Sequence, residues 1–128
     1  METKNRNTET DKATAEALLN EMNAFFETGK TRNLEFRKYM LRKLKTTIKK
    51  YEKDVEIALY KDLGKSSADA YISDIGMIYQ NIDFFLKNMD KFAKRKIVKR
   101  NLSSILSQGY IYKEPYGTVL IVAPFNYP

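Results

Sequence analysis

Seven apolar residues, Tyr71, Ile75, Ile78, Ile82, Phe85, Met89 and Phe92, recur at spacings of 4, 3, 4, 3, 4 and 3. Only a helix brings side chains with that alternation onto one narrow line. The line is a seam fit to pack between other helices. A buried core helix is the reading it supports, since seven positions do not specify a coiled coil. Ser66 followed by Asp69 has the form of a capping box at the start, with Asp in place of the usual Glu or Gln. The helix is expected to continue to about Lys96. Gly76 inside it weakens the helix or marks a close helix contact.

The same period recurs upstream. Leu18, Met22, Phe25 and Phe26 lie three and four apart in a helix expected from Ala13 to a stop at Gly29. A second helix is expected from about Thr31 to Tyr51, with Thr31 or Asn33 as N-cap. Its stripe is Leu34, Leu41, Leu44, Ile48 and Tyr51. Asp54 reads as the N-cap of a third, short helix carrying Val55, Ala58, Leu59 and Leu63 and closed by Gly64. Residues 1–12 are polar and charged, with no apolar face to bury, and read as a disordered terminus. Helices therefore occupy 13–96, and 97–108 read as a surface connector.

Beyond it the period changes from helical to strand-like. Gly109 to Lys113 alternates, with Tyr110 and Tyr112 on one side and Ile111 and Lys113 on the other. Pro115 and Gly117 then turn the chain. Thr118 to Ala123 is an apolar, β-branched run ended by Pro124. That composition suits a strand buried on both faces of a parallel sheet. Such a strand needs neighbours at both edges and layers above and below, and only one other strand is evident. The segment is thus expected to be mainly α, ending in a β-strand pair, and to be a fragment whose sheet is encoded downstream. An apolar strand left unpaired invites pairing between chains, so self-association of the isolated segment is expected.

Composition narrows the function. The chain has no Cys and no His. It therefore holds no disulfide, no thiolate nucleophile, no cysteine metal site and no imidazole acid/base. Nine Tyr and seven Phe argue against disorder. Lys and Arg total 23 against 16 Asp and Glu, a net charge of +7. Arg37, Lys38, Arg42, Lys43, Lys45, Lys49 and Lys50 form the densest basic cluster. It reads either as a nucleic-acid helix or as the solvated face of an amphipathic helix. The charges are interleaved and no reading motif accompanies them, so no nucleic-acid partner is expected. No apolar leader region follows the polar start, and the longest apolar run, Val119 to Phe125, is far short of the roughly 20 residues of a membrane helix. A cytoplasmic protein with no membrane-spanning segment is expected.

The stretch Glu114-Pro115-Tyr116-Gly117-Thr118-Val119-Leu120-Ile121-Val122-Ala123-Pro124-Phe125-Asn126-Tyr127-Pro128 resembles a signature of the aldehyde dehydrogenase superfamily. There a Pro-x-Gly turn leads into an apolar strand ending in Pro-Trp/Phe-Asn-Tyr/Phe-Pro. Thr31-Arg32 with Phe36-Arg37, Asp62-Leu63-Gly64-Lys65 and Asp69-Ala70-Tyr71 resemble stretches of its class 3-like branch. The resemblance runs from about Ala13 onward. It implies a parent α/β fold with a Rossmann-like NAD(P)-binding domain, of which 117–128 would be the first strand and 109–116 a strand and turn of oligomerisation type.

The implied reaction oxidises an aldehyde to a carboxylic acid. A cysteine thiolate attacks the carbonyl, hydride passes to nicotinamide, and a glutamate helps water hydrolyse the thioester. Attack creates an oxyanion, and the resemblance assigns Asn126 as a side-chain amide donor to it. It assigns Val122, Ala123, Pro124 and Phe125 to the border of the dinucleotide, NAD or NADP, and Tyr127 to the aldehyde entry channel. Turn formation by Asn126 and core packing by Phe125 and Tyr127 are the structural alternatives. The cysteine, the glutamate and the ribose-binding residues would all lie beyond Pro128. The segment alone is accordingly expected to be inactive, and a homo-oligomer is expected of the parent. A different class of reading is a stand-alone helical interaction module whose last strand pairs with a partner's sheet edge.

Overall fold

The computed structural model describes residues 12–99 and 107–127. The expected frayed start before Lys12, the middle of the expected connector, and Pro128 lie outside the described residues. Helix α1 spans Lys12–Glu27, a single 3-10 turn follows at Lys30–Arg32, and α2 spans Leu34–Leu63. A short α3 at Ser67–Ala70 passes through a π-turn at Tyr71–Ile75 into α4 at Gly76–Ala93. Strand β1, Lys96–Ile97, pairs antiparallel with β2, Tyr110–Ile111. The chain is mainly α and ends in a two-stranded antiparallel sheet, the class expected.

Local chemistry sets most of these boundaries. Gly29 and Gly64 take left-handed conformations, with φ of 71° and 67°, after α1 and α2. A residue with a Cβ would be strained at either place. The N-cap of α2 is Asn33, whose Oδ1 accepts from the Phe36 amide at 3.0 Å. Thr31 takes no part in that cap; its carbonyl accepts from Arg37 Nε. Ser66 caps α3 as expected, its Oγ accepting from the Asp69 amide at 3.2 Å. The reciprocal half of the box is different. The Asp69 carboxylate accepts from the Ser66 hydroxyl at 2.6 Å.

Four expectations are corrected. The two helices expected on either side of Asp54 are one helix of 30 residues. The apolar period runs unbroken from Leu41 through Ile48 and Val55 to Leu59, with no Gly or Pro between Asn33 and Gly64. A capping preference at Asp54 does not outweigh that packing. The helix expected to reach Lys96 ends at Ala93. Lys96 and Ile97 serve β1, so the expected connector begins as a strand. The strand pair is consequently β1 with β2, whereas Thr118 to Ala123 pairs with nothing among the described residues. Strand-forming composition is a preference for a half-buried pleated surface, and none is offered here. Leu120, Ile121 and Val122 are more than four-fifths exposed.

Helices α2 and α4 pack side by side in antiparallel register. Lys38 Nζ meets Asp90 at 2.8 Å, Lys45 Nζ meets Asp83 at 2.6 Å, and the Tyr79 hydroxyl donates to Glu52 at 2.6 Å. The numbers rise on one helix as they fall on the other. Burial first, and the Glu52 carboxylate second, push the Tyr79 phenol up to about 12. Two members of the basic cluster are therefore spent on acids of α4. Beneath this ladder lies a small core of Leu59, Ala70, Ile75 and Ile82. The seam on α4 is only partly covered, since Tyr71, Phe85 and Phe92 remain exposed. The rings of Phe84, Phe85 and Phe92 gather at 5.7 to 6.2 Å on that open end.

The π-turn explains Gly76. Its amide bonds back to the Tyr71 carbonyl, five residues away. A Cβ on Gly76 would lie 2.7 Å from that oxygen and 3.3 Å from the Tyr71 ring. The close contact is thus within one helix and not between two. The extra residue in the turn lets Asp74, Ile75 and Gly76 all be buried in succession.

Candidate functional site

The apolar run ends at a turn from Pro124 to Tyr127, closed by the Tyr127 amide donating to the Pro124 carbonyl at 3.4 Å. Phe125 and Asn126 form its tip. The turn is tied down from outside by Lys65, the residue that follows the α2 cap Gly64. Lys65 Nζ donates to the Asn126 carbonyl at 3.2 Å. It also lies 4.6 Å from the centre of the Tyr127 ring, a cation–π distance.

Lys65 is itself held from the other side. Its ammonium donates to Asp74 Oδ2 at 2.7 Å and to Ser73 Oγ at 3.5 Å. An ammonium has three protons, and these three oxygens match them. Ser73 Oγ lies 2.7 Å from the Asp69 carbonyl and 2.6 Å from Asp74 Oδ2, so its single proton serves one of the two at a time. The Asp74 side chain is 5% exposed and that of Lys65 17%. Asp74 Oδ1 is buried with no hydrogen-bond partner among the described residues.

Burial pushes the Asp74 carboxyl up, but the hydrogen bonds from Lys65 and Ser73 and the Lys65 charge outweigh it and hold the group below its ordinary value. A depressed carboxylate stabilises the fold above its unfolded pKa, and that contribution disappears as pH falls through the folded value. Asp74→Asn is accordingly expected to lower the melting temperature at neutral pH. The gap to the parent chain should close as melts are repeated into the acid range. A gap that stays constant with pH would show that the pair contributes nothing through charge.

The structure thus brings Asn126 and Tyr127 together with Lys65. Val122, Ala123, Pro124 and Phe125 are exposed, Phe125 to 88%. Tyr127 is 58% exposed. Asn126 does sit in a turn, yet only its backbone is used there; its amide makes no hydrogen bond within the described residues. Where the run begins, Gly117 adopts φ 105° and lies 3.8 Å, as measured to a would-be Cβ, from the Phe26 ring of α1. Gly117, Thr118 and Val119 close one side of a cleft of about 450 Å3 whose other wall is Leu18, Met22, Phe25 and Phe26.

The sequence reading did not find Lys65, Ser73 and Asp74. Lys65 stood inside a noted stretch, Asp62 to Lys65, without a role. A better signal was Asp74 itself, a carboxylate beside a core isoleucine, because buried charges are paired.

The family model for the aldehyde dehydrogenase family matches residues 2–128, and the chain belongs to that family. It is 48% identical over 105 residues to a 4,4'-diaponeurosporen-aldehyde dehydrogenase of Staphylococcus aureus, covering 82% of this chain and 23% of that protein. It is 38% identical over 130 residues to mouse aldehyde dehydrogenase family 3 member B3, covering all of this chain and 27% of the relative. A solved structure of the substrate-bound state of Staphylococcus aureus AldH superposes with a TM-score of 0.87 at 45% identity, over 89% of this chain and 25% of that one. The chain therefore spans about a quarter of the length of the relatives it matches. Family membership gives no support to the stand-alone interaction module. Among the described residues no helix is long and apolar enough to cross a membrane.

Proposed function

We propose that this chain is the N-terminal portion of an NAD(P)-dependent aldehyde dehydrogenase that oxidises an aldehyde to a carboxylic acid. The observation that carries the reading is the Asn126 turn: its backbone is anchored by Lys65, while its side-chain amide makes no hydrogen bond among the described residues. Anchoring the backbone limits where the amide can reach, a step toward the preorganised donation an oxyanion needs. Asn suits the role because it donates without a titratable proton.

The backbone of Val122 and Ala123, unpaired among the described residues, fits with Pro124 and Phe125 the edge of a dinucleotide site at the carboxyl end of a strand. These residues would border NAD or NADP, which would supply the hydride acceptor. What this chain adds is the shape of that edge and the donor at Asn126. Tyr127 faces the aldehyde. In this reading the parent is a homo-oligomeric, cytoplasmic enzyme.

The nucleophile is not in this segment, which has no Cys. The 128 residues alone should form no NADH or NADPH from aldehydes, whereas the polypeptide made from the whole gene should. Aldehyde-dependent absorbance of reduced cofactor, followed for both, is the test. Turnover by the short chain, or none by the long one, would end the proposal.

A further inference from the structure

We infer that Lys65 is a positioning residue for the Asn126 donor, acting from the end of α2 through the Asn126 carbonyl; the inference rests on the oxyanion reading of Asn126. Three linked features converge on it. Lys65 is fixed in direction by a buried carboxylate, Asp74, and not by solvent. Asp74 is turned inward by the π-turn that Gly76 permits. The third proton of the ammonium goes to the carbonyl of the very residue whose side chain is to donate.

A backbone carbonyl and the side chain of one residue are joined through a single Cα. Holding the carbonyl restrains the stretch of backbone that carries the Asn126 amide. The Tyr127 ring over the same ammonium closes the neighbouring residue down as well. The arrangement links the helical unit to the reacting end of the apolar run across 61 residues of sequence. Lys65 touches no reacting atom in this role; it removes conformations in which the amide points elsewhere. Misplacing a group near the chemistry by an ångström costs up to about 100-fold in rate.

The test uses the full-length enzyme with Lys65→Met, Asn126→Ala and the double variant, and Asp74→Asn as a milder disturbance that keeps side-chain shape. Lys65→Met is expected to lower kcat about 10- to 100-fold while KM stays within about threefold. Asp74→Asn should give a smaller loss of the same kind. In the Asn126→Ala background, Lys65→Met should change kcat by less than about twofold, because the residue it positions is gone. An undiminished loss in that background would overturn the inference, since Lys65 would then act through general stability. An unchanged kcat in Lys65→Met would overturn it too.

A second readout separates the two ideas. With 15N-labelled asparagine, the side-chain amide resonances of Asn126 should shift or broaden in Lys65→Met. If Asn126→Ala leaves kcat intact, the oxyanion reading fails. The positioning of Asn126 by Lys65 is then judged on those resonances alone, and unaltered resonances refute it.

Discussion

Asn126→Ala in the full-length enzyme is expected to lower kcat by about 10²–10³-fold, or about 2.7–4 kcal/mol of transition-state stabilisation. KM should change far less, because the donor serves an oxygen that carries charge only after attack. Fold should not be at issue: within the described residues the amide holds nothing in place, and the Lys65 bond goes to the backbone carbonyl, which alanine keeps. Steady-state kinetics with a melting curve of the same sample decide the matter. A loss of kcat at unaltered melting temperature is the expected result. A loss that appears only with a lowered melting temperature would return Asn126 to being a turn residue.

Gly76→Ala should destabilise the helical unit by about 1–3 kcal/mol, against the usual sign for a helix interior. Elsewhere in a helix, alanine gains up to about 1 kcal/mol over glycine. Here its methyl would sit 2.7 Å from the Tyr71 carbonyl, a backbone atom that no rotamer change can move aside. Relief requires undoing the π-turn, which rotates Asp74 and Ile75 out of their buried places. Chemical denaturation of the two proteins measures the difference. A more stable Gly76→Ala would show that the turn rearranges without cost, and the inward setting of Asp74 would lose its explanation.

Much of the helical unit was legible in the residues. Gly29, Asn33, Gly64 and Ser66 act locally, through φ angles or one side-chain hydrogen bond, so their effects are readable without a fold. Asp54 misled because a cap is a local preference of about 1 kcal/mol, and the apolar period of α2 crosses it without a change of phase. The π-turn left no local trace beyond an unexplained Gly76. It goes with the burial of Asp74 against Lys65, which comes from the loop between α2 and α3. The β1 partner of β2 was hidden for a similar reason: Lys96 and Ile97 look like the tail of a helix until Tyr110 and Ile111 return to them. In the candidate site, Asn126 and Tyr127 were legible from one contiguous signature. Lys65 and Asp74 were not, because their link to Asn126 exists only in three dimensions.

The α2–α4 ladder has a bearing on the order of events as the chain is made. Its bonds join residues 52, 38 and 27 positions apart, and all are complete once Asp90 has been synthesised. The Lys65 tie to Asn126 spans 61 positions and waits for the last residues of the segment. Loops of short span close first, and a polypeptide emerging from the ribosome folds its leading part before its trailing part exists. A finished helical hairpin with Lys65 already oriented by Asp74 would therefore greet the nascent turn. The Asn126 turn would be moulded on a surface made in advance, and a defect in the hairpin would be inherited by that turn as a slow or mis-set docking step.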